Sequence, residues 1–311
     1  MGIPSFGGAV PVRAARNEYG TIDDDYLDAT AVGKSRVWAV SGDVYSGIPG
    51  AEKGLPGAFF SVGMDGYGRP QLTVMKIKLD ELIDLPDDTT KMLHAEFSRF
   101  WTAAPKIAQL GLSVKRGILM VGPPGSGKTS VIQAMAGHMI RDLGGVVIYA
   151  ERPDHTSACL AMLRKIEPER PLIVVYEDLD ALVERYGESG YLSLLDGETQ
   201  IGNVCNVATT NYPERLDKRF VDRPGRFDRI AVVDMPSDIA RTAYIKARMP
   251  DIDEDVLERW VRKSSGWSIA HLRELIMATQ ALGEDPSETI ERLNDMRENR
   301  PKAEEGGKVG F

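Results

Sequence analysis

Residues 122–129 read Gly122-Pro123-Pro124-Gly125-Ser126-Gly127-Lys128-Thr129 and fill every fixed position of the pattern G-x-x-x-x-G-K-[ST]. Just before them, Gly117-Ile118-Leu119-Met120-Val121 is a short apolar run suited to a buried parallel strand. From Lys128 onward, Val131, Ile132, Met135, Met139 and Ile140 fall at helical spacing, and the pattern stops at Gly144-Gly145. A strand, a glycine turn and a helix start together turn backbone N–H groups and a positive dipole end toward a polyphosphate. Gly122, Gly125 and Gly127 let the backbone curl, Lys128 can reach β- and γ-phosphates, and the Thr129 hydroxyl suits Mg²⁺. The predicted cradle for ATP is therefore Gly122, Pro123, Pro124, Gly125, Ser126, Gly127, Lys128, Thr129 and Ser130.

Outward from this segment, apolar runs at 117–121, 146–150, 172–176, 204–208 and 230–233 alternate with helical stretches. Nearly continuous β-branched strands separated by helices predict an α/β fold, a parallel sheet sandwiched by helices, over residues 86–236. Its first element is a helix opening at Asp87-Asp88, with Leu93, Phe97, Phe100 and Trp101 on one face. Residues 237–299 show four helical stretches (238–248, 254–264, 268–282 and 286–298), which predict a small C-terminal helical domain. Residues 1–85 carry short β-like runs at 36–40, 58–62 and 71–77 among glycines and prolines, and read as a small β-rich accessory region whose first 30 residues are mobile. The stretch 300–311 has the composition of a disordered tail.

Composition bounds the class. The chain has 311 residues, is 42% hydrophobic and 27% charged, and carries a formal net charge of −8. That balance argues against broad nucleic-acid binding. Cys159 and Cys205 are the only cysteines and lack metal-ligand spacing, so they read as buried free thiols in a reducing compartment. No apolar stretch reaches membrane-spanning length and the first 20 residues lack a signal-peptide core, which predicts a soluble cytoplasmic protein.

Three further constellations carry chemistry. Leu172-Ile173-Val174-Val175-Tyr176 ends in Glu177-Asp178-Leu179-Asp180, an apolar strand delivering carboxylates beside the phosphate loop. Here Glu177 is the expected partner of Thr129 in holding Mg²⁺, and Asp178 the acid that polarises the attacking water. Asn211, ending the run Val207-Ala208-Thr209-Thr210, is placed to hydrogen-bond the γ-phosphate or that water. In Asp222-Arg223-Pro224-Gly225-Arg226-Phe227-Asp228, two arginines sit on a rigid turn suited to stabilising phosphoryl-transfer charge from a neighbouring chain. The predicted catalytic set is thus Glu177, Asp178, Asn211, Arg223 and Arg226.

The order GPPGSGKT, acidic strand end, ATTN and LDKRFVDRPGRFD resembles an AAA+ ATPase of the AAA branch over residues 85–295. The Glu-Asp-apolar-Asp order, Lys115-Arg116-Gly117-Ile118-Leu119 and the LSLLDG segment at 192–197 look like the group of the mitochondrial Rieske-protein translocase, without its membrane helix. The resemblance implies a homo-oligomeric ring, commonly a hexamer, with ATP between subunits, Arg223 and Arg226 acting on the neighbour's ATP, the helical domain 237–299 as a lid, and a protein client. Two stretches depart from the pattern. Glu151-Arg152-Pro153-Asp154-His155 lacks the aromatic residue of many AAA pore loops, leaving Tyr186 as the nearby aromatic, read as packed or surface-bound. His271 stands where other AAA+ branches place a sensing arginine. A nucleic-acid motor or loader, contacted through Lys115-Arg116 and Arg215, Lys218 and Arg219, is the alternative function, and a slow ATP-dependent assembly switch is a third.

Overall fold

The computed structural model describes residues 36–41, 43–49, 54–77, 88–196 and 202–298. The stretches read as a mobile N-terminus and a disordered tail lie outside them. The order of elements begins with β1 (Arg36–Ser41), β2 (Val44–Pro49), β3 (Phe59–Met64), β4 (Pro70–Met75) and the helix α1 (Asp88–Gln109). The central block follows as β5 (Lys115–Val121), α2 (Lys128–Arg141), β6 (Val146–Tyr149), α3 (Pro153–Ile166), β7 (Leu172–Tyr176), α4 (Leu179–Tyr186) and α5 (Glu188–Asp196). Then come β8 (Val204–Thr210), the short α6 (Lys218–Val221) and β9 (Arg229–Val232). Four helices close the described chain: α7 (Asp238–Arg248), α8 (Glu254–Lys263), α9 (Ile269–Gln280) and α10 (Pro286–Glu298).

Among the described residues nine strands form one sheet, ordered β1-β2-β4-β3-β6-β7-β8-β5-β9. From β3 to β9 all neighbours run parallel, and β1, β2, β4 and β3 form an antiparallel meander at the other end. Every residue of β7 and β8 is buried, as a strand covered on both faces requires. On one face α1 and α2 cover Ile118, Met120, Ile173 and Val175 with Leu93, Phe97, Ile132 and Met135. On the other, α3 and α5 supply Leu160, Leu163, Tyr191 and Leu195 against Leu119, Val174 and Tyr176.

The N-terminal region supplies β-strands, as its sequence predicts, and they extend the central sheet. β3 pairs in parallel with β6, setting Phe59 opposite Val147 and Phe60 opposite Ile148. Successive strand residues point to opposite faces. Phe59 accordingly enters the core under α1 and α2, while Phe60 enters the one under α3. Arg170 and Glu167 tie the same join together, donating to the Leu55 carbonyl at 2.7 Å and accepting from the Leu55 N–H at 2.8 Å. The strand β2 had no sequence forecast, because Gly47 and Pro49 read as turn residues and only pairing with β1 and β4 makes the segment a strand.

The C-terminal helices bury Trp260, Trp267, Leu257, Leu272, Leu275 and Leu293 in a core of their own. Their starts follow capping chemistry: Ser237, Asp253 and Ser268 each accept a backbone N–H of the first turn of α7, α8 and α9. No helix among the described residues is long and apolar enough to cross a membrane.

Candidate nucleotide site

The C-terminal ends of β5, β7 and β8 carry the phosphate loop, the acidic turn and Asn211, at the edge where open parallel sheets place ligands. In the loop, Gly125 and Gly127 have φ of 81° and 101°, a left-handed region that L side chains rarely adopt. The lid closes over this turn, since a Cβ on Gly125 would lie 2.7 Å from the Ser268 Cβ at the start of α9. Ser126 Oγ is buried in the loop with no hydrogen-bond partner among the described residues, a polar atom that a bound phosphate could engage.

Lys128 is buried, and its Nζ donates to Gly122 O at 2.7 Å, Pro123 O at 3.0 Å and Asn211 Oδ1 at 2.7 Å. Asn211 Nδ2 in turn donates to Asp178 Oδ1 at 3.0 Å, linking the phosphate-loop cation to the acidic turn. Burial lowers the Lys128 pKa, partly offset by the Asp178 and Asp180 carboxylates. The ammonium is thus satisfied by loop carbonyls that a triphosphate would replace with stronger, charge-assisted bonds.

Glu177 is half-buried. Burial raises its pKa, Asp178 raises it further, and a hydrogen bond from Thr129 opposes both. Its Oε1 is buried without a partner among the described residues. A hydroxyl beside the carboxylate, and a buried oxygen without a partner among the described residues, fit a hydrated Mg²⁺, which takes hard oxygen donors and keeps several waters. Mg²⁺ bound with ATP neutralises charge on the β- and γ-phosphates. The next acid, Asp178, sits at φ 48° in the left-handed region, which Asp tolerates better than most residues. Its N–H donates to Thr209 Oγ1 at 2.9 Å, and Thr210 Oγ1 donates to the buried Asp180 at 2.7 Å. These two threonines clamp the acidic turn onto β8, and sequence reasoning gave them no role. Their signal was the pair of hydroxyls immediately before Asn211.

The arginines lie elsewhere. Arg226 packs its carbonyl against Gly117, where a Cβ would collide with it, and Asp228 accepts the Gly117 N–H at 2.9 Å. Gly117 lies within β5 and Gly122 just beyond its C-terminal end, roughly 16 Å apart at about 3.3 Å per residue. Arg226 binds Asp196 through Nε and Nη2, both at 2.6 Å, and also donates to the Arg219 carbonyl. Arg223 reaches the same Asp196 at 3.0 Å while 63% of its side chain stays exposed, against 6% for Arg226. Nothing in the sequence around Asp196 marked it for this clamp.

Two further expectations can be placed. His271 Nδ1 lies 2.6 Å from Ser268 Oγ at the start of α9, beside the phosphate loop. Tyr186 donates to Glu151 Oε1 at 3.0 Å, and with Arg152, Asp154 and Ser193 it lines a cavity of about 450 Å³. Cys159 and Cys205 are both buried free thiols.

A glycine loop between a parallel strand and a helix, with a lysine, a hydroxyl and a strand-end carboxylate around it, defines a P-loop nucleoside triphosphatase. Residues 118–235 match the family described as ATPase family associated with various cellular activities (AAA). Residues 118–235 thus form an AAA ATPase domain, of a family that binds ATP with Mg²⁺ and hydrolyses it. The chain is 30% identical over 244 residues to the ATP-dependent zinc metalloprotease FtsH of Acaryochloris marina, covering 71% of this chain and 37% of that one. FtsH of Acidothermus cellulolyticus is 29% identical over 243 residues, 70% of this chain and 36% of its own length. The ATPase family gene 2 protein homolog B of Bos taurus is 33% identical over 164 residues, 46% of this chain and 21% of that protein. The chain therefore spans just over a third of the two FtsH relatives it matches.

Proposed function

We propose that this ATPase works as a ring of identical subunits, with six the expected number, and uses ATP hydrolysis to remodel or translocate a protein partner. The observation that carries the ring is the placement of the arginines. The Arg226 carbonyl packs on Gly117, roughly 16 Å by strand rise from Gly122 of the phosphate loop, and Arg223 is exposed. An arginine that cannot serve its own ATP serves a neighbour's. In this reading Gly122 to Ser130 cradle the phosphates, and Thr129 and Glu177 hold Mg²⁺. Asp178 polarises the attacking water, Asn211 senses the γ-phosphate, and Arg223 completes the adjoining site. Arg226, clamped on Asp196, serves as the mount for that turn rather than as a second free cation. A protein client is favoured over nucleic acid by the net charge of −8 and by relatives named ATP-dependent zinc metalloprotease.

Mixing two inactive chains tests the shared site. An Arg223→Ala chain keeps its phosphate loop, and a Lys128→Ala chain keeps its arginine. Where the two adjoin in the right order, one complete site is rebuilt. Recovery of ATPase activity on mixing, growing with total protein concentration, is the expected result. A mixture that stays inactive although sizing shows mixed assemblies would overturn the proposal.

A further inference from the structure

Tyr149 is the last residue of β6 and packs against Phe59, with 6.2 Å between ring centroids. In the parallel register it stands opposite Val175, and both belong to the core face covered by α1 and α2. Glu177 follows Val175 by two residues, so strand alternation returns its side chain to that face. Thr129, from the first turn of α2, bonds it there. The phenol and the carboxylate therefore share one face of the sheet at the edge of the phosphate site, close enough for the Glu177 charge to act on the phenol. Tyr149 makes no hydrogen bond among the described residues, and Glu177 Oε1 is buried and equally without a partner. Burial first, and the Glu177 charge second, push the phenol above its ordinary range, which keeps it an O–H donor throughout neutral pH. The hydrophobic role at this position needs only the ring; the hydroxyl on it is surplus to packing against Phe59.

We propose that Tyr149 is a positioning residue for the magnesium site: its hydroxyl and the free Glu177 oxygen share a water of the hydrated ion. The proposal rests on the reading that Thr129 and Glu177 hold Mg²⁺. Such an outer hydrogen bond fixes the carboxylate and the water together, and losing one commonly weakens metal affinity tenfold or more. A residue acting this way should influence nucleotide binding only when the metal is present.

The test uses the full chain and a fluorescent, non-hydrolysable ATP analogue. Its binding is measured in EDTA and again across a Mg²⁺ titration, for the parent, Tyr149→Phe and Glu177→Gln. Tyr149→Phe keeps the ring and its packing. Its affinity in EDTA should match the parent, while its Mg²⁺ midpoint should rise about tenfold. A Tyr149→Phe midpoint within about twofold of the parent, with Glu177→Gln shifted, would overturn the tyrosine's role and leave the metal reading standing. Equal weakening in EDTA and in Mg²⁺ would mark a packing effect and overturn it too. If neither variant moves the midpoint, the assignment of Glu177 to the metal falls, and the proposal with it.

Discussion

Phe60→Ala distinguishes a sheet extension that is part of the ATPase fold from a module merely attached to it. Phe60 is completely buried, lies opposite Ile148 of β6, and meets Tyr45 edge-on at 5.7 Å. Its neighbours in the core include Leu72, Leu160 and Leu163, so the ring touches both the meander and the helix that follows β6. Truncating a fully buried phenylalanine costs about 3–5 kcal/mol through lost transfer energy and the cavity left behind. In a chain of this size 1 kcal/mol moves the melting midpoint by about 2 °C, so a fall of about 8 °C is expected. Ellipticity and the fluorescence of bound nucleotide, recorded on one heated sample, should report the same lowered midpoint. Tyr67→Ala, at a turn residue 67% exposed, is the control, and should change stability by less than about 0.5 kcal/mol. The reasoning fails if Phe60→Ala melts in two steps with nucleotide release at the parent temperature, because the meander would then unfold without the site noticing.

Asp178→Asn should keep ATP and Mg²⁺ binding while abolishing turnover, since it neutralises the acid facing Asn211 without touching the Thr129–Glu177 pair; full turnover in that variant would reverse the roles of the two acids. Arg226→Ala should lower stability by roughly 2 kcal/mol in a urea melt, less than for a fully buried pair, because Asp196 keeps 26% of its side chain exposed. Arg223→Ala should leave the same urea midpoint unchanged and reduce hydrolysis by on the order of 10³-fold. The hydrogen bond from Arg226, with both arginine charges, holds the Asp196 carboxyl below the usual range. A lowered folded value contributes stability above the unfolded pKa of about 3.9 and loses it as pH falls through the folded value. The stability gap between the parent and Asp196→Asn, read from urea midpoints, should therefore be full at neutral pH and close below about pH 4.

What the sequence made legible was local. The run from Ile118 to Ile140 declares strand, turn and helix through periodicity and glycines alone. The lid helices α7, α8, α9 and α10 begin within one residue of where their apolar spacing and caps placed them. Non-local pairing was not legible. Phe60 meets Ile148 across 88 positions, and no pattern in residues 36–75 says which strand they will extend. The link from Lys128 through Asn211 to Asp178 joins three segments whose individual motifs were readable but whose contact was not. The two arginines show the same limit most sharply. By motif they are equivalent. Gly225 at φ 94° turns the chain between them, and Asp196 at the end of α5 takes one inward while leaving the other mostly in solvent. In the proposed ring, a cation offered to a neighbouring subunit needs an anchored base, because a floppy arginine would surrender side-chain entropy with each engagement. Under the proposed ring, the buried arginine would anchor the turn, and the exposed one would exchange Asp196 for the neighbour's phosphate.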